Sequence, residues 1–208
     1  MGSMVAQRVE FEENPQQTAI KGTITSVDST TQFHMVVFNE EPTMSGVTEG
    51  SPVVVTIQNA TFQVGQAEMG EDGGFSIAGL SLASSADLLV GQDVQIRAGS
   101  VSSSQRTTTI TTNLVRLWPS QITGTVGISS DNGMFTLTPV SPLFTRAMPP
   151  ITMINVVTLS GIDFIDFSGM SSLSSGSTVS VRGLLFKTSG APTLVTRTMR
   201  EDQGQGGD

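Results

Sequence analysis

Apolar and polar residues alternate with a period of two along most of this chain. Ile20, Gly22, Ile24 and Ser26 fall on one face of a first segment, with Lys21, Thr23 and Thr25 on the other. Phe33, Met35 and Val37 alternate with His34 and Val36, and Val94, Ile96 and Ala98 alternate with Gln95 and Arg97. Successive side chains of a strand point to opposite sides, so this pattern predicts half-buried β-strands. Residues 53–57 and 60–64 flank Gln58-Asn59, and residues 155–159 and 162–167 flank Ser160-Gly161. Asn and Gly tolerate left-handed backbone, so both stretches predict tight hairpins. The Thr-rich residues 107–117 and residues 192–199 predict closing strands, because β-branched side chains suit a pleated surface. No segment keeps a helical period over three turns; the best helix candidate is the short stretch 81–89.

The strand pattern occurs twice. Gly22-Thr23-Ile24 and Phe33 return as Gly124-Thr125-Val126 and Phe135, displaced by 102 positions. Val54-Val55-Thr56-Ile57 and Phe62 return as Val156-Val157-Thr158-Leu159 and Phe164 at the same displacement. Gly91, Val94, Ile96 and Arg97 return as Gly176, Val179, Val181 and Arg182, now displaced by 85. Such register predicts two copies of one β-rich unit. Phe62 and Gly91 are 29 positions apart, but Phe164 and Gly176 only 12, so the first copy carries 17 extra residues within 65–90. That insertion is expected to project from the first unit as a loop that can be deleted without loss of the fold, although loops on a rigid scaffold often carry function. The expected division is a tag remnant and flexible leader at 1–18, a first barrel at 19–117, a second at 119–199 and a disordered tail at 200–208. Each barrel is expected to hold about six short strands.

Composition narrows the function classes. Charged residues make up 13% of the 208, about half the usual ~25%. Net charge is −8, with 10 Lys and Arg against 18 Asp and Glu. A nucleic-acid partner or an anionic membrane surface calls for clustered cations, which this chain lacks. There is no Cys, so thiol catalysis, thiolate metal sites and disulfides are excluded. No apolar run approaches the ~18 residues of a transmembrane helix. Met1-Gly2-Ser3-Met4 reads as a tag remnant, and a signal peptide is expected upstream in the natural protein.

The order Gly-Thr-Ile-Thr-Ser-Val, an aromatic-led strand, Val-Val-Val-Thr-Ile, Gly-x-x-Val-x-Ile-Arg and a Thr-rich closing strand resembles a known group. It is similar to the bacterial extracytoplasmic domains of unknown function numbered DUF5666, OB-like β-barrel repeats of secreted proteins and lipoproteins. The resemblance covers both units and implies small antiparallel OB-like barrels and an extracytoplasmic location, whether periplasmic, lipid-anchored or secreted. It brings no catalytic residues with it.

Few residues offer chemistry. His34 is the sole histidine and is expected on the surface. Glu68, Glu71 and Asp72 among glycines offer oxygens for Ca²⁺, but their spacing matches no EF-hand, and an acidic turn is the simpler reading. Asp163 and Asp166 are three apart, which puts them on opposite faces of a strand rather than in a catalytic pair. Arg97 and Arg182 hold equivalent outward positions; they suit either a carboxylate or sulfate ligand or simple solvation. Trp118 stands at the join, either as a stacking platform for a sugar or as a plug between barrels. These three are the candidate ligand-binding residues. No catalytic residue, metal site or cofactor is expected.

The expectation is therefore a non-enzymatic, all-β binding or structural module of the bacterial envelope or exterior, with a protein or glycan partner. The alternatives are a hydrolase or carbohydrate-binding protein acting on envelope polymers and, third, an OB-type oligonucleotide binder.

Overall fold

The structure, a computed structural model, describes residues 18–44, 46–65, 79–104, 107–130, 133–166 and 168–201. In chain order the strands are β1 Ala19–Ser29, β2 Gln32–Glu41, β3 Pro52–Val64, β4 Asp93–Ser104, β5 Thr107–Trp118, β6 Ser120–Ser130, β7 Met134–Pro139, β8 Ile154–Ile165, β9 Thr178–Phe186 and β10 Thr193–Glu201. A single helical turn, α1 Pro142–Thr145, follows β7.

The strands close into two barrels. The first runs β1-β2-β3-β5-β4 and the second β10-β8-β7-β6-β9. Numbered within each half, both have the order 1-2-3-5-4, with strand 1 closing on strand 4. Strands 3 and 5 are parallel in both halves, as β3–β5 and β8–β10, and the other pairs are antiparallel. This is a five-stranded, OB-like Greek-key barrel, made twice.

Alternation dictates the two cores. Ile20, Ile24, Phe33, Met35, Val53, Val55, Val94, Ile96, Ile110, Val115 and Leu117 are buried in the first. Ile122, Val126, Phe135, Leu137, Ile154, Val156, Val179, Val181, Leu194 and Met199 are buried in the second. Gly22 and Gly124 take inward positions where neighbouring strands approach closely. A Cβ would lie 2.6 Å from Val36 O at Gly22 and 2.6 Å from Thr138 O at Gly124.

Three expectations change. Each barrel has five strands, because the two predicted hairpins are single bent strands. Residues 53–57 and 61–64 both pair with β5, in parallel register from Val53↔Thr108 to Val64↔Leu117. Residues 58–60 form a bulge opposite Asn113, with Asn59 at φ 48. Residues 159–162 bulge likewise opposite residue 197. The turn-favouring residues thus bend a strand instead of reversing it, since closing a small barrel requires sharp local bending. The helix expected at 81–89 is only a 3₁₀ turn, Ser85–Asp87, under a Ser84 capping box. The stretch 65–90 also does more than project: it buries Leu82 in the first core, while Leu88, also buried there, follows a 3₁₀ turn that the second half repeats before Leu173. The acidic cluster Glu68, Glu71, Asp72 and the terminal segments 1–17 and 202–208 lie outside the described residues.

Candidate functional site

The two barrels share a packed junction. Leu184, Phe186 and Val195 of the second half are buried in the first core cluster, and Val90 of the first half in the second. Gly91 and Gly176 hold left-handed backbone, φ 88 and 94. Each lets the chain enter strand 4 while its N–H donates to the carbonyl of Ile24 or Val126, at 2.9 and 2.8 Å. Only Gly91 has the Phe144 ring of α1 lying where a Cβ would stand. Gln92, fully buried, accepts from Leu89 N at 2.7 Å and donates through Nε2 to Leu185 O of the other barrel at 3.0 Å. Lys187 Nζ donates to Ala86 O across the same junction at 2.9 Å.

Asp93 sits beside this seam. Thr23 Oγ1 donates to its Oδ1 at 2.6 Å, and its own N–H donates to Ser120 Oγ at 2.8 Å. Burial pushes its pKa up to about 6, against the opposing pull of the Thr23 hydroxyl and the Arg182 charge. A desolvated carboxylate is disfavoured in its charged form, and here desolvation outweighs both partners.

Between the barrels opens a cleft of about 860 Å³, within the usual ~300–1,000 Å³ of a ligand site. Residues 25–28 of β1 and residues 88–90 supply the first barrel's wall; residues 146–153 and 187–192 supply the second's. The second wall is apolar and open: Met148 is 96% exposed and Met153 43%, with Pro149 and Pro150 between them. Arg146 and Lys187 stand on this wall and Asp28 on the other. Asp28 is engaged by His34 Nε2 at 2.8 Å and Ser26 Oγ at 3.0 Å. Among the described residues that line it, Asp28 is the one carboxylate and no side chain is aromatic.

None of the three candidate ligand residues lines this cleft. Trp118 is half-buried at the end of β5, with Lys21 Nζ 3.8 Å from its ring centroid. A cation–π contact therefore covers one ring face. Arg97 is half-buried on β4 and Arg182 exposed on β9. Their repetition coincides with a backbone device: the carbonyl of Arg97 accepts from Thr112 Oγ1 and that of Arg182 from Thr196 Oγ1, each at a bulge. Arg182 also acts electrostatically on Asp93. His34 points outward, opposite to buried Phe33 and Met35. Asp166 accepts from Arg200 Nε at 2.8 Å. No group of three or more metal-ligating side chains occurs among the described residues. The cleft wall at 146–153 escaped the sequence pattern because its residues do not alternate; two Met residues around Pro149-Pro150 in a loop were the available signal.

No protein-family model matches the chain, and no curated protein does. Two solved structures are similar, both of the single-stranded DNA binding protein from Thermus aquaticus: the wild type, and a deletion mutant that also carries a point substitution. The wild-type match has 10% identity, covers 92% of this chain and 95% of that one, and has a TM-score of 0.29. The mutant gives 10%, 91%, 95% and 0.28. The fold assignment rests instead on strand order and register.

Proposed function

We propose that the chain is a non-enzymatic binding module of the bacterial cell envelope or exterior, and that its ligand occupies the cleft between the barrels. The observation that carries this reading is the cleft itself, an apolar wall with two cations facing a strand end, braced by a shared core. A glycosidase-type hydrolase needs two carboxylates across its cleft, and this lining provides Asp28 alone among the described residues. An OB-type oligonucleotide binder uses the face of its second and third strands. Here β2, β3, β7 and β8 contain no Lys or Arg to meet phosphates. The extracytoplasmic placement draws on the resemblance and on a surface rich in Ser, Thr and Gly.

The test is a thermal-shift screen of envelope glycans and of peptides, repeated with Met148→Asp. A ligand that raises Tm in the parent chain and not in the variant supports the reading. Hits that are insensitive to this substitution place the ligand elsewhere.

A further inference from the structure

We infer that the occupant of the cleft is an extended, acidic polypeptide segment that adds as a strand to the open edge of β1 at residues 25–29. This rests on the reading of the cleft as the binding site and names its ligand class.

The edge is the first observation. β1 pairs with β4 only from Ala19 to Thr23. Ile24 then closes that side, its N–H donating to Gln92 O and its carbonyl accepting from Gly91 N. β1 continues to Ser29, paired with β2 alone through Ser26↔His34, Val27↔Phe33 and Ser29↔Gln32. On the far side of these residues there is no strand among the described residues, and residues 25–28 face the cleft. An unpaired strand edge is a template for another strand, and peptide recognition by strand addition uses such an edge. Five residues give an edge of about 17 Å at ~3.4 Å per residue.

The opposite wall complements a strand. Met148 and Met153 present adaptable apolar surface to alternate side chains of an incoming peptide. Pro149 and Pro150 have no N–H, so they do not compete for its main chain.

Charge selects the segment. The chain has net charge −8, yet this wall carries both Arg146 and Lys187. Lys187 Nζ contacts a neutral carbonyl, and neither cation has a carboxylate partner among the described residues. The single acidic group of the cleft, Asp28, is held by His34 and Ser26. An acidic segment meets complementary charge there, and a basic one meets like charge. The lining has no aromatic ring for a sugar to stack on.

The experiment probes the full chain with arrays of ten-residue peptides of alternating apolar pattern and acidic, neutral or basic charge, beside a glycan array. Retention of acidic peptides, about tenfold weaker for Lys187→Glu and for Met148→Asp, is the expected result. Main-chain N-methylation at every second peptide residue should abolish binding in one register and spare it in the other. Thermal unfolding verifies that both exposed-site variants fold. Indifference to N-methylation, or preference for basic peptides, overturns strand addition of an acidic segment. Glycans retained in a Met148-dependent way overturn the peptide class while the cleft reading stands. A dimer in sedimentation that Lys187→Glu dissociates makes a second copy the occupant and likewise overturns it. Binding of any probe that neither substitution weakens overturns the cleft reading itself.

Discussion

The two barrels have the same strand order and the same closing hydrogen bonds, yet they build the junction from different parts. The first contributes the described end of its connection between strands 3 and 4, residues 79–92, and the second its connection between strands 2 and 3, residues 140–153. The 102-residue displacement holds on both sides of the latter, so the two counterparts have equal length and different shape. β2 runs on to Glu41, whereas β7 stops at Pro139 and the chain turns at Ser141 into α1, with Pro142 at the first helical position. Pro has no N–H for a strand ladder but suits a helix start. That local substitution places Phe144 over Gly91 and leaves residues 146–153 as a cleft wall. A repeated scaffold thus acquires a specific surface where its copies diverge.

The counterpart residues make the difference measurable. Leu88 and Leu173 follow equivalent 3₁₀ turns, but Leu88 is fully buried and Leu173 only half-buried. Leu88→Ala should cost about 3 kcal/mol in denaturant unfolding and Leu173→Ala about 1 kcal/mol. Equal costs would mean that the first barrel's connection is no more integral than the second's.

Gly91 and Gly176 come next. Left-handed backbone costs a non-glycine residue about 1–2 kcal/mol, and that is the expected loss for Gly176→Ala, whose Cβ meets open space. Gly91→Ala carries the same strain plus displacement of Phe144, so roughly 2–3 kcal/mol is expected. Phe144→Ala combined with Gly91→Ala should be less than additive, since the clash is then gone. Full additivity would show that the ring does not constrain Gly91.

Asp93 has Thr178 as its counterpart, so the ionisable group belongs to one barrel alone. Its folded-state pKa, about 6, lies above the ordinary 3.8. The folded chain therefore holds this proton more tightly, and this group's contribution to stability falls as pH rises from about 4 to about 6. Asp93→Asn should remove that loss. Its stability relative to the parent should rise by about 1–3 kcal/mol across the window and level off above it. A difference independent of pH would place the carboxylate in water.

The smallest effect expected is loss of the cation–π contact that Lys21 makes with Trp118. Lys21→Ala removes the cation from its ring face and should cost about 0.5–1 kcal/mol, partly reduced by salt. Trp118→Ala should cost more, through lost packing at the join, and should leave ligand binding unchanged because Trp118 does not line the cleft. Binding lost with an unchanged melting curve would instead restore Trp118 as a ligand platform.

Much of the barrel was readable from alternation alone. Ile20, Ile24, Phe33 and Met35 are inward because period two offers a strand one apolar face, and their counterparts Ile122, Val126 and Phe135 follow the same rule. The repeated glycines marked close approaches and left-handed turns. The repetition of Arg97 and Arg182 coincides with carbonyls that accept Thr hydroxyls at bulges. Asn59 and Gly161 read as reversals because turn chemistry is local, whereas whether a strand bends or reverses depends on a partner far away in the chain. β5 and β10 supply that partner, and parallel pairing across a bulge leaves no local mark.

The sequence alone determined the fold class, the two-unit layout, the inward faces and the acidic, cysteine-free surface, since each follows from periodicity or composition. Only the tertiary structure decided the cleft. Its walls come from residues 25–28, 88–90, 146–153 and 187–192, segments far apart in the chain with no shared period. They meet because a merged core fixes how one barrel sits on the other, and such juxtaposition is a property of packing that no local pattern encodes.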